Sequence, residues 1–275
     1  MLWRRTVSAL VGVPVILGLI YLGGVAYALA AGAVLAAGAL ELHAALGPGH
    51  RRGPDGSWHL VAQPPRAYLG LALLALLVAA AYHGPDWWAG ALALSLVITF
   101  LWGFAHRQPA AALEGWLAQV AALAYLGLLG SHLVLLRRVE NGQDWVTLAV
   151  FGAFAADTSA YLVGRLLGRH RIAPHLSPGK TAEGTLGGLL LGALGVVLIN
   201  WATGLRLAPL QIAPLALLVP LAATLGDLAE SFLKRGAGVK DASRLIPGHG
   251  GFLDRLDSVL FVVPLVYYWR LWVIG

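Results

Sequence analysis

The chain has 275 residues, of which 59% are hydrophobic and only 12% are charged, with a formal net charge of +6 and no cysteine. Apolar stretches of about 20 residues recur along its whole length, which excludes a soluble globular protein and predicts an all-α polytopic integral membrane protein. The absence of cysteine excludes disulfides and thiolate chemistry, and without a nucleic-acid-binding module the positive charge favours lipid headgroups and anionic substrates over nucleic acid.

The apolar stretches predict about nine transmembrane helices, each long enough to cross about 30 Å of hydrocarbon. The first stretch follows two arginines and resembles a signal peptide, but no convincing small-residue cleavage site follows it, so we interpret it as a retained helix. The spans are expected near residues 6–22, 25–45, 67–82, 86–105, 116–136, 144–168, 185–203, 209–233 and 255–274.

The loop cations predict the orientation of these helices. Of the 19 lysines and arginines, 15 fall on the same predicted side as the N-terminus, and the others are Arg137, Arg138, Arg206 and Arg270. Cytoplasmic loops carry the excess of such residues in membrane proteins. The pattern therefore predicts a cytoplasmic N-terminus, in a bacterial-type inner membrane, with the charged loops facing the cytoplasm.

The two halves of the chain differ in their polar content. Residues 1–138 have few ionisable groups within their spans and are predicted to be scaffold helices, while residues 139–275 are predicted to supply catalytic helices and cytosolic loops of the same membrane domain. Turn-forming residues in the loop 47–66 favour a flexible linker over a binding element. Glu41 and His43 are expected at the headgroup level rather than in a site.

An acidic residue deep within a span forms the first polar cluster. Asp157 lies about 13 residues into its span, and helical spacing places it on one face with Tyr161 and Arg165. A carboxylate at that depth indicates function in membrane proteins. The structural alternative is an aspartate satisfied by a hydroxyl such as that of Thr158, or by an interhelical partner.

The loop 170–184 forms the second cluster. Ser177 begins a turn, and Lys180 together with the start of the following helix favours an anion. The pattern indicates phosphate binding, although Thr181 or Glu183 would also serve as an ordinary helix cap.

Glycines recur at helix-packing spacing in the next predicted helix. Small residues at this spacing allow close helix approach, and such faces are also compatible with a homodimer. The glycines are Gly184, Gly187, Gly188, Gly192 and Gly195.

The third cluster spans the end of one apolar helix and the start of the last. Helical spacing places Asp227, Glu230, Ser231 and Lys234 on one face, and after the intervening loop it places Asp254, Asp257 and Ser258 on another. Charge beside hydrocarbon is unfavourable unless it is paired or liganded, so this segment is predicted to be the active site. The cations around it are Lys234, Arg235, Lys240, Arg244 and Arg255.

Carboxylates in the absence of cysteine favour a hard cation such as Mg²⁺, which bridges to substrate phosphates. The fitting chemistry is phosphoryl or nucleotidyl transfer, in which metal and cations offset phosphate charge. A pump or channel would also retain intramembrane acids but would not need these cations. For His249, acid–base or phosphate-binding chemistry and a turn histidine bound to a carbonyl both remain open.

At these positions the chain resembles the phosphatidate cytidylyltransferases, or CDP-diacylglycerol synthases. Their C-terminal signature is matched by Ser231, Lys234, Arg235, Lys240, Asp241, Pro247, His249, Gly250, Gly251, Asp254, Arg255 and Asp257. Upstream elements are matched by Asp157, Thr158, Ala160, Tyr161, Gly164, Arg165, Gly226, Asp227 and Leu228. One departure is Gly179, which stands where the family has a lysine, next to Lys180.

The resemblance implies that CMP is transferred from CTP to phosphatidate with Mg²⁺, giving CDP-diacylglycerol and pyrophosphate. It implies metal ligation by Asp227 and Asp254, with Asp257 or Asp157 in support or on a second cation. Catalytic roles extend to Lys234, Lys240, His249 and Ser231, and substrate binding to Lys180, Ser177, Thr181, Arg235, Arg255, Asp241, Tyr161 and Arg165. The alternatives are a cytidylyltransferase acting on another lipid phosphate and a cation-coupled transporter that uses Asp157 and Asp227.

Overall fold

The computed structural model describes the backbone of residues 2–46, 65–105, 108–238 and 251–275, and the side chains of residues 11–45, 67–105, 108–238 and 251–275. In these ranges the chain is all-α, as predicted. The helices are α1 (Leu2–Leu22), α2 (Gly24–Leu46), α3 (Pro65–His83), α4 (Pro85–Phe104), α5 (Pro109–Ala122), α6 (Leu129–Arg138), α7 (Gly142–Leu167), α8 (Ala182–Ala202), α9 (Pro209–Gly236) and α10 (Leu253–Trp269). A π-helical turn, Leu123–Leu128, joins α5 to α6, and another, Arg270–Ile274, follows α10.

Seven helical segments of the described residues are long and apolar enough to cross a membrane. Two shorter apolar helical stretches, Val11–Leu22 and Ala67–His83, account for the remaining predicted spans. The class of integral membrane protein is confirmed, while the count of nine crossings and the orientation stay predictions. The fifth predicted span begins at Pro109 rather than residue 116, because proline suits the first position of a helix.

The chain divides into two compact units, one of residues 1–138 and 236–255 and the other of residues 139–235 and 256–275. In the first unit, a single glycine separates α1 from α2 and another separates α3 from α4. Gly23 has φ +62° and Gly84 has φ +137°, a backbone region that side-chain-bearing residues rarely adopt. These positions therefore permit the helix to break between α1 and α2 and between α3 and α4.

Two polar side chains of α2 are buried in the first unit. Glu41 is 1% exposed and His43 is 2% exposed. Their burial shows that both face the protein interior, and their expected level at the headgroups stays a prediction. His43 Nε2 lies 3.0 Å from Gln119 Oε1, and Nδ1 lies 2.8 Å from the Ala39 carbonyl oxygen. Buried polar groups need such partners, which here come from α2 itself and from α5.

In the second unit, α7 and α8 pack closely through small residues. A Cβ atom added at Gly184 would lie 2.8 Å from the Ala160 carbonyl oxygen, and one at Gly192 would lie 2.9 Å from Ala156 Cα. The predicted role of the glycine spacing in helix packing is confirmed. This packing places the α7–α8 loop beside the polar end of α7.

Candidate active site

Three carboxylates of the second unit converge where α9 meets α10. Asp227 and Glu230 lie one turn apart on α9, and Asp257 lies on α10. One oxygen from each lies within 4.8 Å of the others, the arrangement of a group that can hold a metal ion. Carboxylate oxygens are the ligands that Mg²⁺ prefers, so the donor set fits the predicted cation.

A glycine permits α9 and α10 to approach at this point. A Cβ atom added at Gly226 would overlap the Asp257 carbonyl oxygen and lie 3.1 Å from Ser258 Cα. Because Gly226 directly precedes Asp227, the close helix contact and the acidic cluster occur at the same level. The glycine thus sets the separation of the two helices that supply the carboxylates.

Ser258 links the cluster to α7. Its Oγ donates a 2.6 Å hydrogen bond to Asp157 Oδ2, and its backbone N–H donates a 2.7 Å hydrogen bond to Asp257 Oδ1. Ser258 is 1% exposed, which makes these bonds part of the interior. Asp157 therefore has a hydrogen-bond partner on another helix, which is the structural alternative that the sequence left open. That partner, Ser258, directly follows Asp257 of the acidic cluster.

Two lysines balance part of the negative charge. Lys180 Nζ lies 3.0 Å from Asp227 Oδ2 and also donates to the Thr224 carbonyl oxygen at 3.1 Å. Lys234 Nζ lies 2.5 Å from Glu230 Oε2, with side-chain exposures of 15% and 1%. The three acids of the cluster and Asp157 carry four formal negative charges, and the two lysines carry two positive charges. A divalent cation would offset the remaining two negative charges.

The loop between α7 and α8 is fixed by hydrogen bonds within the second unit. Glu183 Oε2 accepts from the backbone N–H groups of Arg169 and His170, and Glu183 Oε1 lies 2.5 Å from His170 Nδ1. Thr181 Oγ1 accepts from Gly184 N–H and so caps α8, the alternative left open by the sequence. Arg235 Nε donates to the Leu176 carbonyl oxygen at 3.1 Å. These contacts tether Lys180 and its turn to α9.

The predicted site residues fall into three groups. The structure brings Asp157, Lys180, Asp227, Lys234 and Asp257 into the contacts described above, with Ser231 buried nearby on α9 and Ser177 and Arg235 at the tethered loop. Tyr161 and Arg165 are exposed on α7 and bond to each other at 3.0 Å. Lys240, Asp241 and His249, together with Arg244, Pro247, Gly250 and most of the 47–66 loop, lie outside the described residues.

Asp254 and Arg255 belong to the first unit. Asp254 Oδ2 accepts a 2.8 Å hydrogen bond from Gly251 N–H, and Arg255 is exposed. Among the described residues, the group that can hold a metal includes Glu230 and does not include Asp254. Ligation by Asp254 stays a prediction.

Two members of this site, Glu230 and Ser258, have no predicted role. Glu230 lies on the same predicted helical face as Asp227 and Lys234, and its spacing of three from Asp227 is a pattern that could indicate a shared ligand set. Ser258 lies on the predicted face of Asp257, but no local pattern indicates its bond to a residue 101 positions away.

Comparisons with known proteins identify the family of the chain. The sequence model of the cytidylyltransferase family matches residues 3–272. A phosphatidate cytidylyltransferase of Synechocystis sp. is 48% identical over 132 residues, covering 45% of this chain and 42% of that protein. Proteins of the same name from Staphylococcus saprophyticus and Bacillus subtilis are 37% identical over 145 residues and 34% identical over 148 residues, covering 53% and 54% of this chain. Each of these two alignments covers 55% of the relative, so the matches span about half the length of the curated proteins.

Proposed function

The chain belongs to the cytidylyltransferase family, and from this premise we propose that it transfers CMP from CTP to phosphatidate, giving CDP-diacylglycerol and pyrophosphate. The observation that carries the proposal is the acidic cluster Asp227, Glu230 and Asp257, flanked by Lys180 and Lys234. Nucleotidyl transfer between two anionic substrates needs such a combination of metal ligands and fixed cations. The name phosphatidate cytidylyltransferase, which these relatives carry, supports the choice of phosphatidate as the acceptor.

The reaction needs no protein nucleophile. A phosphate oxygen of phosphatidate forms a bond to the α-phosphorus of CTP, and the bond from that phosphorus to the bridging oxygen of pyrophosphate breaks. When bound at the carboxylates, Mg²⁺ supplies Lewis-acid neutralisation of phosphate charge. We assign its ligands to Asp227, Glu230 and Asp257, with Asp254 and Asp157 as the further carboxylates of the sequence-based hypothesis.

The protein's own residues orient the phosphates and carry the countercharge. Lys180 is held by Asp227 and the Thr224 carbonyl, which preorganises its ammonium group beside the carboxylates. Lys234 is held in the same way by Glu230. Groups fixed before the reaction stabilise developing charge without reorganisation. Ser231, Arg235 and the turn at Ser177 complete the proposed phosphate-binding surface within the second unit.

The positions of the substrates agree with the predicted topology. CTP is water-soluble and phosphatidate lies in the bilayer with its phosphate at the interface. The excess of loop cations on one side predicts that the α7–α8 loop and the α9–α10 segment face the cytoplasm. We therefore propose an inner-membrane enzyme with a cytoplasmic active site, and a homodimer remains part of the proposal.

Pyrophosphate release by the detergent-purified protein tests the function. Release is expected only when Mg²⁺, CTP and phosphatidate are all present, and omission of any one should abolish it. Release with a polyprenyl or archaeol phosphate instead of phosphatidate would indicate a related transferase. Cation flux across liposomes without CTP consumption would support the transporter and contradict the proposal.

Replacing Gly179 by lysine is expected to strengthen substrate binding. A Cβ atom at Gly179 meets nothing within 4 Å, so a side chain fits without displacing a described neighbour. An added ammonium group in the phosphate-binding turn should lower the KM for CTP or phosphatidate about fivefold, equivalent to ~1 kcal/mol. Gly179→Gln has similar reach without charge and is the matched control. Equal KM values for the two variants would remove position 179 from the phosphate-binding surface.

A further inference from the structure

The amino end of α10 is held by a buried acid from α2. Glu41 accepts hydrogen bonds from Phe252 N–H at 3.1 Å and from Leu253 N–H at 2.8 Å, one on each carboxylate oxygen. The first amides of a helix have no acceptor within the helix, and a carboxylate there also suits the helix dipole. All three residues belong to the first unit, where Glu41 caps a helix more than 200 positions further along the chain.

The backbone at Gly251 is shaped to receive this carboxylate. A Cβ atom added at Gly251 would lie 2.5 Å and 2.7 Å from the two Glu41 carboxylate oxygens. The N–H of Gly251 is taken by Asp254 Oδ2 at 2.8 Å. Two acids thus fix three successive amides, and the absence of a side chain at residue 251 is what allows Glu41 to reach them.

We propose that Glu41 is a positioning residue for cytidylyl transfer, acting through the first turn of α10. The turn that it fixes carries Asp254, and Asp257 follows Leu253 by four residues on the same continuous helix. If this turn shifted or frayed, the carboxylates of Asp254 and Asp257 would be displaced, because both side chains are carried by the first two turns of α10. The catalytic consequence rests on the proposed function, whereas the capping interaction does not.

Hydrogen exchange and kinetics of Glu41 variants test this role. In Glu41→Ala, amide exchange in the peptide 251–258 is expected to be about tenfold faster, because the substitution removes the carboxylate that accepts hydrogen bonds from the first amides of α10. The kcat should fall about 10- to 100-fold, as for small displacements of catalytic groups. The Mg²⁺ concentration for half-maximal rate should rise, with little change in KM for CTP. Glu41→Gln keeps one carbonyl acceptor at the same reach and should recover part of each effect.

His43→Asn is the matched control, since His43 lies on the same helix and its described hydrogen bonds go to Ala39 and Gln119 rather than to α10. This variant should lower thermal stability without changing exchange in 251–258 or the Mg²⁺ dependence. If Glu41→Ala does not fold, Gly251→Ala provides the second variant, because its Cβ would press on the carboxylate and should give the same exchange and Mg²⁺ pattern.

The outcomes separate this inference from the proposed function. If wild-type protein releases no pyrophosphate, two other measurements still test the inference. Amide exchange in residues 251–258 reports whether Glu41 fixes the helix end. The rise in melting temperature on adding Mn²⁺ as a substitute for Mg²⁺ reports whether Glu41 supports the metal site. Unchanged exchange in Glu41→Ala would overturn the cap. Faster exchange with wild-type kcat, Mg²⁺ dependence and Mn²⁺ response would overturn the positioning role.

Discussion

Asp227→Asn is expected to lower kcat for pyrophosphate release about 10²- to 10³-fold, the usual effect of removing one preorganised charged group. Asparagine has nearly the same shape but removes the charge that faces Lys180 at 3.0 Å and that groups with Glu230 and Asp257. The rise in melting temperature on adding Mn²⁺ should also shrink, because one ligand is lost. Both quantities are measured on purified protein at saturating CTP and phosphatidate.

Glu140→Gln is the matched control for this amide substitution. The Glu140 side chain is 81% exposed, and one of its carboxylate oxygens lies 3.5 Å from Arg270 Nη2. Exposed ion pairs contribute about 0–1 kcal/mol, so neither kcat nor the Mn²⁺ response should change. A kcat for Asp227→Asn within about tenfold of wild type would remove Asp227 from the metal assignment.

Gly226→Ala is expected to lower kcat about 100-fold, the effect of a small misplacement of catalytic groups. Helix propensity alone would favour alanine by about 0.5–1 kcal/mol. The overlap of the new Cβ with the Asp257 carbonyl oxygen reverses this preference. The Cβ is held rigidly by the backbone of α9 and the oxygen belongs to the backbone of α10, so neither can move without separating the two helices. Kinetics together with thermal unfolding measure the two effects.

Gly90→Ala isolates the propensity effect, because a Cβ atom at this position within α4 meets nothing within 4 Å. It should leave kcat unchanged and leave the melting temperature equal or higher. If Gly226→Ala behaves like Gly90→Ala, the close approach of α9 and α10 does not control the geometry of the carboxylates.

Much of the fold follows from local sequence. Apolar stretches must form helices in a bilayer because no water is present to satisfy the backbone, and their lengths predicted nearly every helix. Prolines and glycines stand at several of the observed boundaries, as at Gly84 and Pro85. The division into two units could not be predicted from local sequence, since residues 236–255 group with the first 138 residues rather than with their neighbours in sequence.

The candidate site was predicted in part. The i, i+3 and i+4 spacing around Asp227 identified the face that carries Glu230 and Lys234, because helix geometry relates such residues directly. The interaction of Lys180 with Asp227 joins residues that no spacing relates. The same is true of the bond from Ser258 to Asp157, which depends on how α7 and α10 lie in the second unit.

The sequence by itself determined that this is an all-α membrane protein of the cytidylyltransferase family, with its acids and cations concentrated in the second half. The membrane class depends on composition and periodicity, whereas the family depends on the motifs that the chain shares with the cytidylyltransferases and on the family match. Only the tertiary structure decided which carboxylates share a site and that Glu41, in the first half, caps α10. The physical reason is that hydrogen bonds and charge pairing act over a few ångströms, between residues whose separation in sequence carries no information about their separation in space.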